Sequence, residues 1–479
     1  MIEIELLELI KKIQDMKAET QTVEVKAAHH GCPKRLYDTL SAFSNQDSGG
    51  VLIFGLDETN DFQSVGVYDV QDLQKKVNEQ CKQMVPPIRP IFTSVRYGSG
   101  YIVSAEIPAT DVTERPCYYG GVGRTKGSYV RSGDSDEPMT DYEIYSYEAF
   151  RKKYQDDIRV NEKADMTTID MSALNRYIQL VKDKNPNLSK LPDQDVFRFL
   201  NIVIDGKPTL TCTLLFSLYP QMSYPQYTIN AMVVPGYERG DVGPDGSRFS
   251  DNLRIEGTIP EVLEQALKFL HSNLKIKTII DPSTGYRADK YEYPMIALRE
   301  ALLNSLVHRD YSFHTEAMPI ELIIYKDRLE IRNPGGLYGR LSIDKLGKVQ
   351  PDTRNPVLAR ALETLGITEN RYSGIPTIRR ELKQAGMRDA EFMDSRSEFC
   401  VTFYNGVQRE VHFTDRTEEQ DLLEFCREPR SRKEIADYLG IATIYYVSQN
   451  YINPLLESGQ LKMTIPEHPK SRNQRFYRG

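Results

Sequence analysis

The chain has 479 residues, of which 40% are hydrophobic and 27% are charged, and its formal net charge is −7. This length favours roughly three domains, and the composition is typical of a globular protein. No apolar run approaches the roughly twenty residues needed to cross a bilayer, and the N-terminus has the pattern of an amphipathic helix, not of a signal peptide. We therefore expect a cytoplasmic protein without membrane association. The acidic total argues against a uniformly basic nucleic-acid binder but permits local basic patches.

The cysteines are scattered along the chain without any pair at the spacing of a zinc or redox site. We expect reduced and mostly buried thiols, and no metal bound through cysteine. The residues are Cys32, Cys81, Cys117, Cys212, Cys400 and Cys426.

The first block, residues 1–153, opens with the amphipathic helix and continues as an α/β domain. TVEVKAA alternates like a half-buried strand, RLYDTLSAFSNQ has helical spacing, and GGVLIFGLD reads as a buried strand. A hairpin is predicted to turn at Gly98-Ser99-Gly100.

A second region, about residues 160–291, carries no chemical motif. We expect helical stretches around two strands, TLTCTLLFSLYP and YTINAMVVPG. PGYERGDVGPDGSRF, which is rich in glycine and charge, is expected to be an exposed loop. We group this region with the next block as residues 154–405.

The core of the third block, residues 293–405, begins with REALLNSLVHRDY, a predicted helix. Glu300 and Asn304 lie four residues apart and so share a helix face, which His308 continues one turn on. A carboxylate in this position can orient and deprotonate a water, and the amide oxygen can hold a magnesium ion on a triphosphate.

Glycine turns follow in the same block. NPGG, residues 333–336, comes after the predicted strand RLEIRNP, and Ser373-Gly374 precedes a predicted helix. Glycines at such turns let backbone amides approach phosphate oxygens, and helix N-termini add positive potential. A nucleotide pocket formed by Asn333, Gly335, Gly336, Ser373 and Gly374 is one interpretation; helix solvation and simple turns are the other. Asn355-Pro356 is predicted to cap and start the helix PVLARALETLG.

This order of motifs resembles the ATP-binding domain of histidine kinases, gyrase and mismatch-repair ATPases. REALLNSLVHRDYS followed by EIRNPGG is closest to the branch found in bacterial predicted transcriptional regulators. The resemblance covers about residues 293–405 and implies ATP with Mg²⁺ as cofactor, Glu300 as general base and Asn304 as magnesium ligand. Gyrase-type ATPase domains often pair, so we expect a dimer.

Two positions depart from that pattern. Asn333 stands where the wider superfamily has an aspartate that accepts the adenine amino group. Ser373-Gly374 is followed by Pro376 and not by repeated glycines. The resemblance therefore predicts nucleotide binding more firmly than hydrolysis.

Acidic residues also converge in the first block. Glu24 and Lys26 lie two apart on a predicted strand and so point the same way; Glu19 lies five residues upstream, and Asp57 closes a strand that can pair beside them. Three carboxylates can hold one or two divalent cations, Mn²⁺ or Mg²⁺, while the lysine steadies a phosphate charge. The alternative is a set of solvated charges at strand ends.

The segments ETQTVEVKAA, LSAFSNQDSGGVLIFGLDE and RPCYYGGVGRTKGSYVRSGDS are similar to the AlbA-type domain shared by bacterial regulators and Schlafen proteins, over about residues 15–145. In Schlafen ribonucleases the matching positions, here Glu19, Glu24 and Asp57, form the cleavage site. Members described only as DNA-binding share these acids, so the resemblance leaves nuclease and binding roles open.

Two basic regions are candidates for nucleic-acid contact. The first is a hairpin region in which tyrosines alternate with cations, a pattern that contacts phosphates and stacks bases; a solvated hairpin packed on the core is the alternative. Its cations are Arg115, Arg124, Lys126 and Arg131, interleaved with Tyr118, Tyr119 and Tyr129.

The second basic region lies in residues 415–479, whose pattern predicts a winged helix-turn-helix with a turn at Gly440. Winged helices also serve as dimer or domain-packing modules. The candidate DNA-contacting residues are Tyr445, Tyr446 and Gln449 on the reading helix and Arg472 and Arg475 on the wing.

Together these patterns predict an α/β (α+β) multidomain protein with an AlbA/Schlafen-like N-terminal domain, a two-layer ATPase-like domain and a winged helix-turn-helix. We expect an ATP-binding regulator, transcriptional in kind, in which nucleotide acts as a switch on nucleic-acid binding. The alternative is a divalent-metal-dependent endoribonuclease that cleaves structured RNA such as tRNA.

Overall fold

A computed structural model describes the chain except residues 99, 244, 281–286, 369–372, 407–415, 440–446, 467–470 and 472–473. At residues 277–280, 287–290, 416–420, 437, 449–450 and 457 it describes the backbone alone. The chain forms two compact units. The first comprises Met1–Val233, Asp251–Ile324 and Leu329–Phe403, and the second Val234–Ser250, Tyr325–Arg328 and Tyr404–Gly479. Both combine helices and sheets, so the predicted mixed α/β class is confirmed.

The first block is built around a four-stranded sheet. Its elements are α1 (Glu3–Met16), β1 (Val23–Lys26), α2 (Tyr37–Asn45), β2 (Gly50–Phe54), β3 (Leu56–Asp57), β4 (Gln63–Ser64), α3 (Val70–Cys81), β5 (Met84–Val85), β6 (Ile91–Tyr97), β7 (Gly100–Ile107), β8 (Tyr118–Tyr119), α4 (Arg124–Gly127), β9 (Tyr129–Ser132), β10 (Ser135–Pro138) and α5 (Asp141–Lys152). The strand order is β1-β2-β7-β6, with β1 parallel to β2 and the other pairs antiparallel. The hairpin predicted at residues 98–100 joins β6 to β7.

Alternation along β2 divides this block into two cores. Leu52 and Phe54 pack with α2 and α3, whereas Ile53 packs with α1 on the other face. Successive strand residues point to opposite faces, so one short apolar strand serves both layers. The sheet is therefore buried on both sides and holds the end of β1, where Glu24 and Lys26 lie, in a fixed position.

The second region is mainly helical. It contains α6 (Met171–Lys184), α7 (Asp193–Phe199), β11 (Val203–Ile204), β12 (Lys207–Pro208), α8 (Leu210–Phe216), β13 (Ile229–Val233), β14 (Asp251–Ile255), α9 (Ile259–Asn273), β15 (Ile276–Ile280) and β16 (Arg287–Tyr291). The strand expected at TLTCTLLFSLYP is instead α8. Every residue of α8 is buried, so the segment carries no periodicity that separates helix from strand. The Thr209 hydroxyl accepts a hydrogen bond from the Cys212 amide and starts the helix.

The third block completes a six-stranded sheet with the second region. Its elements are α10 (Met295–His308), β17 (Ile320–Ile324), β18 (Arg328–Pro334), α11 (Pro356–Thr364), α12 (Gly374–Gln384), β19 (Glu391–Asp394) and β20 (Glu398–Tyr404). The strand order is β14-β13-β17-β18-β20-β19, with β13 parallel to β17. Helix α10 packs against α9 and α12, and a single apolar core joins these helices to the sheet. The second region and the third block thus share one two-layer body.

Helix α11 begins at Pro356 as predicted, but its cap differs from the expectation. The Asn355 side chain points away from α11 and donates to the carbonyl oxygens of Val307 and Arg309, each at 2.8 Å. The free amides of α11 at residues 357 and 358 donate instead to Asp157 Oδ2, at 2.7 and 3.2 Å. Burial raises the pKa of Asp157 to about 6.

The C-terminal block is a small helical core with a three-stranded sheet. It contains α13 (Arg416–Phe425), β21 (Arg430–Ser431), α14 (Arg432–Tyr438), a π-helix (Ser448–Ile452), α15 (Asn453–Glu457), β22 (Leu461–Met463) and β23 (Arg475–Arg478). The strand order is β21-β23-β22. The predicted turn at Gly440 lies outside the described residues, so the winged helix stays a prediction. Of the helices that the structure describes, none is both long and apolar enough to cross a bilayer.

Candidate nucleotide cavity and N-terminal carboxylate cluster

A cavity of about 560 Å³ opens in the third block between α10, the glycine turn that follows β18, and the start of α12. The seven residues predicted to bind nucleotide and the predicted general base, Glu300, all line it. They are Glu300, Asn304, His308, Asn333, Gly335, Gly336, Ser373 and Gly374. Three segments separated in sequence therefore meet at one place.

Helix α10 supplies the acid and the amide. Leucines such as Leu298 and Leu302 bury the opposite side of the helix in the core, so Glu300 and Asn304, four residues apart, both face the cavity. The Glu300 carboxylate lies 3.3 Å from an Arg299 guanidinium nitrogen, and Arg299 also donates to the Ile367 carbonyl oxygen at 2.8 Å. The carboxylate is thus held at the cavity wall by its neighbour.

His308 lies one turn further along the same face. Desolvation by the enclosing cavity walls, with the nearby positive charge of Arg354, lowers the pKa of His308 to about 4, although the side chain is exposed to the open cavity. The imidazole is therefore neutral at physiological pH and offers one hydrogen-bond donor and one acceptor to the cavity.

The glycine turn lies too close to its neighbours to carry side chains. Gly335 has φ +92°, and a Cβ atom there would lie 2.5 Å from Asp310 Cβ and 2.6 Å from Arg354 Nη1. A Cβ at Gly336 would lie 2.5 Å from the Arg396 carbonyl oxygen. Only glycine fits these two positions without displacing a neighbour, so the turn presents backbone to the cavity.

Gly374 opens α12 directly against Asn304. A Cβ atom at this position would lie 2.8 Å from Asn304 Nδ2. The first amides of a helix have no acceptor within that helix, and they carry positive potential. The start of α12 thus brings donors to the same wall as the Asn304 amide.

Arg354 is a cavity residue that sequence reasoning missed. Its Nη1 lies 2.9 Å from Asp310 Oδ2, and its Nη2 donates to the Gly336 carbonyl oxygen at 3.2 Å. Burial alone would raise the pKa of Asp310, but Arg354 and the hydrogen bonds from Tyr142 and Ser312 together lower it. No local spacing links residue 354 to residue 310, so this pair could not be predicted from the sequence.

The residues fit a nucleotide. Asn333 lines the cavity, and its Oδ1 is buried without a hydrogen-bond partner among the described residues. A buried acceptor without a donor is costly unless a ligand or water satisfies it. The cavity volume also lies within the range typical of small-molecule sites.

The N-terminal carboxylates form a closed ion cluster around a buried arginine. Arg131 Nη2 lies 2.7 Å from Glu24 Oε2 and 3.7 Å from Glu19 Oε2, and Arg131 Nη1 lies 2.9 Å from Asp136 Oδ1. The Lys26 ammonium contacts the other Glu24 oxygen, as expected for residues two apart on a strand. We call Glu19, Glu24, Lys26, Arg131 and Asp136 the carboxylate cluster.

Glu19 has an unusual ionisation within this cluster. Burial raises its pKa to about 7, the neighbouring charge of Glu24 adds to the rise, and a hydrogen bond from the Val25 amide at 2.6 Å opposes it. The Glu19 carboxyl group therefore titrates near neutral pH.

The predicted metal site differs from this arrangement. Asp57 accepts hydrogen bonds from the Thr59 amide and hydroxyl, at 3.1 and 2.7 Å, and starts a short 3-10 turn. Across the described part of the chain, no three His, Cys, Asp or Glu side chains are grouped as metal ligands. As placed, Glu19, Glu24 and Asp57 do not fit a divalent ion, because the Arg131 guanidinium and the Lys26 ammonium already occupy both Glu24 oxygens.

Two of the four predicted basic contacts are buried. Arg115 and Arg131 are each 7% exposed, and Arg115 pairs with Asp47 at 2.8 Å. These two guanidinium groups hold the fold together and are not available to phosphates in this conformation. Arg124 is half-buried beside Glu148, whereas Lys126 is exposed.

The aromatic residues near this hairpin also pack within the protein. The Tyr119 ring stacks on Tyr37 with centroids 3.7 Å apart. Tyr118 lies under the Arg124 guanidinium, 5.4 Å from its ring centroid. Both contacts favour the alternative interpretation, in which these tyrosines pack within the protein and are not free to stack on bases.

Most of the predicted C-terminal contacts lie outside the described residues. Tyr445, Tyr446 and Arg472 are among these, and Gln449 is described by its backbone alone. Arg475 lies on β23, where its side chain is 49% exposed and pairs with Glu434 at 3.3 Å.

Comparisons with known families match three segments of the chain. Residues 19–140 match the family described as "Schlafen, AlbA_2". Residues 317–403 match the family described as "Putative ATP-dependent DNA helicase recG C-terminal". Residues 419–478 match the family described as "Filamentation induced by cAMP protein Fic-like, C-terminal domain". The chain therefore contains an AlbA-like N-terminal domain and an ATPase-like domain, as predicted.

The similarity of the chain to whole proteins is weak. No curated protein matches the chain. The DIP2311 protein of Corynebacterium diphtheriae is 18% identical, with 95% of this chain and 92% of that chain covered and a TM-score of 0.40. The N-terminal domain of a RecG-related protein of Nitrosomonas europaea is 25% identical, over 28% of this chain and 92% of that chain, with a TM-score of 0.23.

Proposed function

We propose that the chain is an ATP-binding regulator that acts on nucleic acid, with nucleotide as the switch. The observation that carries the proposal is the convergence of three distant segments on one cavity of about 560 Å³. The wall of that cavity includes an acid, an amide, glycine backbone and Asn333, whose buried Oδ1 has no hydrogen-bond partner among the described residues.

Four features of the cavity have defined parts in this proposal: Glu300, Asn304, the glycine turn and the start of α12. Glu300 would accept a proton from an attacking water, and the Asn304 amide oxygen would bind Mg²⁺. The backbone of the glycine turn and the first amides of α12 would contact phosphate oxygens. Bound Mg²⁺ would supply charge neutralisation for the triphosphate.

The AlbA-like domain is the proposed nucleic-acid partner site. Lys34, Arg35 and Lys126 are exposed there. Arg35 Nη2 contacts the Tyr129 hydroxyl at 3.5 Å, which brings the loop after β1 near the β9 strand. Exposed cations of this kind contact phosphates without reading sequence. We propose a transcriptional role, with duplex DNA as the target to be tested first and structured RNA as the alternative.

Glu300→Gln tests the enzymatic part. We expect the variant to bind ATP with Mg²⁺ as the natural protein does, while phosphate release falls roughly 100-fold or more, because the general base is lost. Glu264→Gln, on the exposed face of α9, is the matched control and should leave phosphate release unchanged. Equal rates for Glu300→Gln and the natural protein would remove Glu300 from catalysis.

Fluorescence anisotropy with labelled nucleic acids tests the switch. Duplex DNA is expected to bind with an affinity that changes at least severalfold when ATP and Mg²⁺ are added. An affinity independent of nucleotide would contradict the switch, and selective binding of structured RNA would move the target from DNA to RNA.

We do not extend the proposal to the metal-dependent endoribonuclease considered as the alternative. Its three carboxylates are engaged by Arg131, Lys26, the Val25 amide and Thr59. Cleavage of tRNA with Mn²⁺, lost in Glu24→Ala, would reverse that choice.

A further inference from the structure

Helix α5 follows the AlbA-like domain in sequence, yet its first turn reaches the wall of the nucleotide cavity. The Tyr142 hydroxyl donates to Asp310 Oδ2 at 2.6 Å. The same oxygen lies 2.9 Å from Arg354 Nη1. Tyr142 is therefore the outer member of a buried chain, Tyr142–Asp310–Arg354, whose inner member lines the cavity.

This chain lies directly beneath the glycine turn. A Cβ atom at Gly335 would lie 3.2 Å from the Tyr142 hydroxyl as well as against Asp310 and Arg354. Arg354 also binds the Gly336 carbonyl oxygen. The position of the turn thus depends on a guanidinium whose counter-ion is oriented by Tyr142.

Helix α5 makes further contacts with the same loop. Glu143 Oε1 lies 3.8 Å from Arg396 Nη1, and the Arg396 carbonyl oxygen accepts the Gly336 amide at 2.8 Å. Further along the helix, the Phe150 ring packs edge-on against Tyr338, a cavity residue, with centroids 5.4 Å apart. The first block therefore contacts Tyr338 directly and reaches Gly336 through Arg396.

We propose that Tyr142 is a positioning residue of the nucleotide cavity, supplied by α5 and acting through Asp310 on Arg354 and the glycine turn. The inference rests on the proposed function, since it concerns the same nucleotide. Without the Tyr142 hydroxyl, the buried Asp310 carboxylate loses one of its hydrogen-bond donors. The Arg354 guanidinium is then held less firmly, and so is the Gly336 carbonyl oxygen to which it donates. A hydrogen bond to a charged group of this kind corresponds to roughly a tenfold change in affinity.

Calorimetric titration of the full chain with ATP and Mg²⁺ tests this inference. Tyr142→Phe should bind roughly tenfold more weakly than the natural protein. Tyr101→Phe is the matched control, because that tyrosine lies on β7 with its side chain 49% exposed, and it should bind normally.

A double-mutant cycle separates positioning from general loss of structure. If Tyr142 acts through Asp310, the double variant Tyr142→Phe, Asp310→Asn should bind no more weakly than Asp310→Asn alone. Additive losses would show that the two residues act independently and would overturn the inference.

The remaining outcomes also decide the matter. If the natural protein binds ATP and Tyr142→Phe binds equally well, the inference fails while the proposed function stands. If the natural protein does not bind ATP, both the proposed function and this inference fail. Should Tyr142→Phe not fold, hydrogen exchange on the natural protein decides: ATP must slow exchange of α5 amides, and unchanged exchange overturns the inference.

Discussion

The nucleotide cavity and the carboxylate cluster begin from similar sequence signals and reach opposite outcomes. The cavity was predicted from an acid and an amide on one helix face, and the cluster from an acid and a lysine on one strand with two further acids nearby. In the cavity, Glu300 and Asn304 face open space opposite a bare glycine turn. In the cluster, Glu24 meets Arg131, which lies 107 residues away in sequence. Local spacing determines which side chains converge, whereas distant partners determine whether the site stays open.

The largest effect should come from removing the central cation of the cluster. Arg131→Met leaves the buried Glu24 and the half-buried Asp136 without their shared guanidinium, so the free energy of unfolding should fall by about 3–5 kcal/mol. Arg198→Met is the control, since Arg198 is 67% exposed and pairs only at the surface, and it should change stability by less than about 0.5 kcal/mol. Urea denaturation measures both. An unchanged midpoint for Arg131→Met would mean that the cluster does not depend on its arginine.

The glycine turn should show the next largest effect. Gly335→Ala places a methyl group against Asp310 and Arg354 and should cost about 3 kcal/mol of stability and abolish ATP binding. Gly206 has a similar φ of +76° but open space around it, so Gly206→Ala should cost only about 1 kcal/mol and leave binding intact. Thermal unfolding with and without ATP measures the difference. Equal behaviour of the two variants would mean that backbone strain, not crowding beneath the turn, explains glycine at position 335.

The raised pKa of Glu19 leads to a smaller effect, a dependence of stability on pH. Its folded pKa of about 7 lies above the ordinary value of 4.5, so the folded state binds this proton more tightly than the unfolded state. The resulting stabilisation is complete below about pH 4.5 and is lost as the pH rises through about 7. Glu19→Gln cannot lose a proton, so it should be more stable than the natural protein at about pH 8, by on the order of 1–2 kcal/mol.

Urea denaturation at about pH 4.5 and about pH 8 checks this prediction. The two proteins should converge at the lower pH, where both side chains are neutral. If the variant were less stable at the higher pH, the charge of Glu19 would stabilise the fold through Arg131 and would not destabilise it.

The smallest effect is expected at the surface of the AlbA-like domain. Lys126→Ala should weaken duplex binding severalfold for any sequence and reduce the slope of log affinity against log salt by about one, because one phosphate contact is lost. Lys268→Ala on α9 serves as the control, since that lysine is 70% exposed and far from this domain in sequence. Sequence-selective weakening would instead point to base contact by Lys126.

The parts of the fold that were predictable are those governed by local chemistry. Helix α10, strand β18, the glycine turn and the start of α12 follow from periodicity and from glycine placement, so the eight cavity residues could be named from the sequence. Helix α8 could not be, because a fully buried segment has no amphipathic period. Arg354, Asp310 and Tyr142 form their chain across 44 and 168 residues of sequence, which no spacing rule spans.

The burial of two predicted basic contact residues likewise could not be predicted from the sequence. Arg115 and Arg131 belong to a segment that looks suited to phosphate contact, and the sequence does not reveal that Asp47, Glu24 and Asp136 enclose them. Whether a cation faces solvent or a buried acid is decided by tertiary packing. Burial of the partner carboxylates then determines their pKa as well, as Glu19 illustrates.

The most direct test of the central claim is a calorimetric titration of ATP with Mg²⁺ into the full-length natural protein, run beside Asn304→Ala. We predict saturable heat with one nucleotide bound per chain, and a strong loss of that heat in the variant, because Asn304 is the proposed magnesium ligand. A flat titration of the natural protein, or identical binding by Asn304→Ala, would contradict the assignment of the open cavity as the nucleotide site.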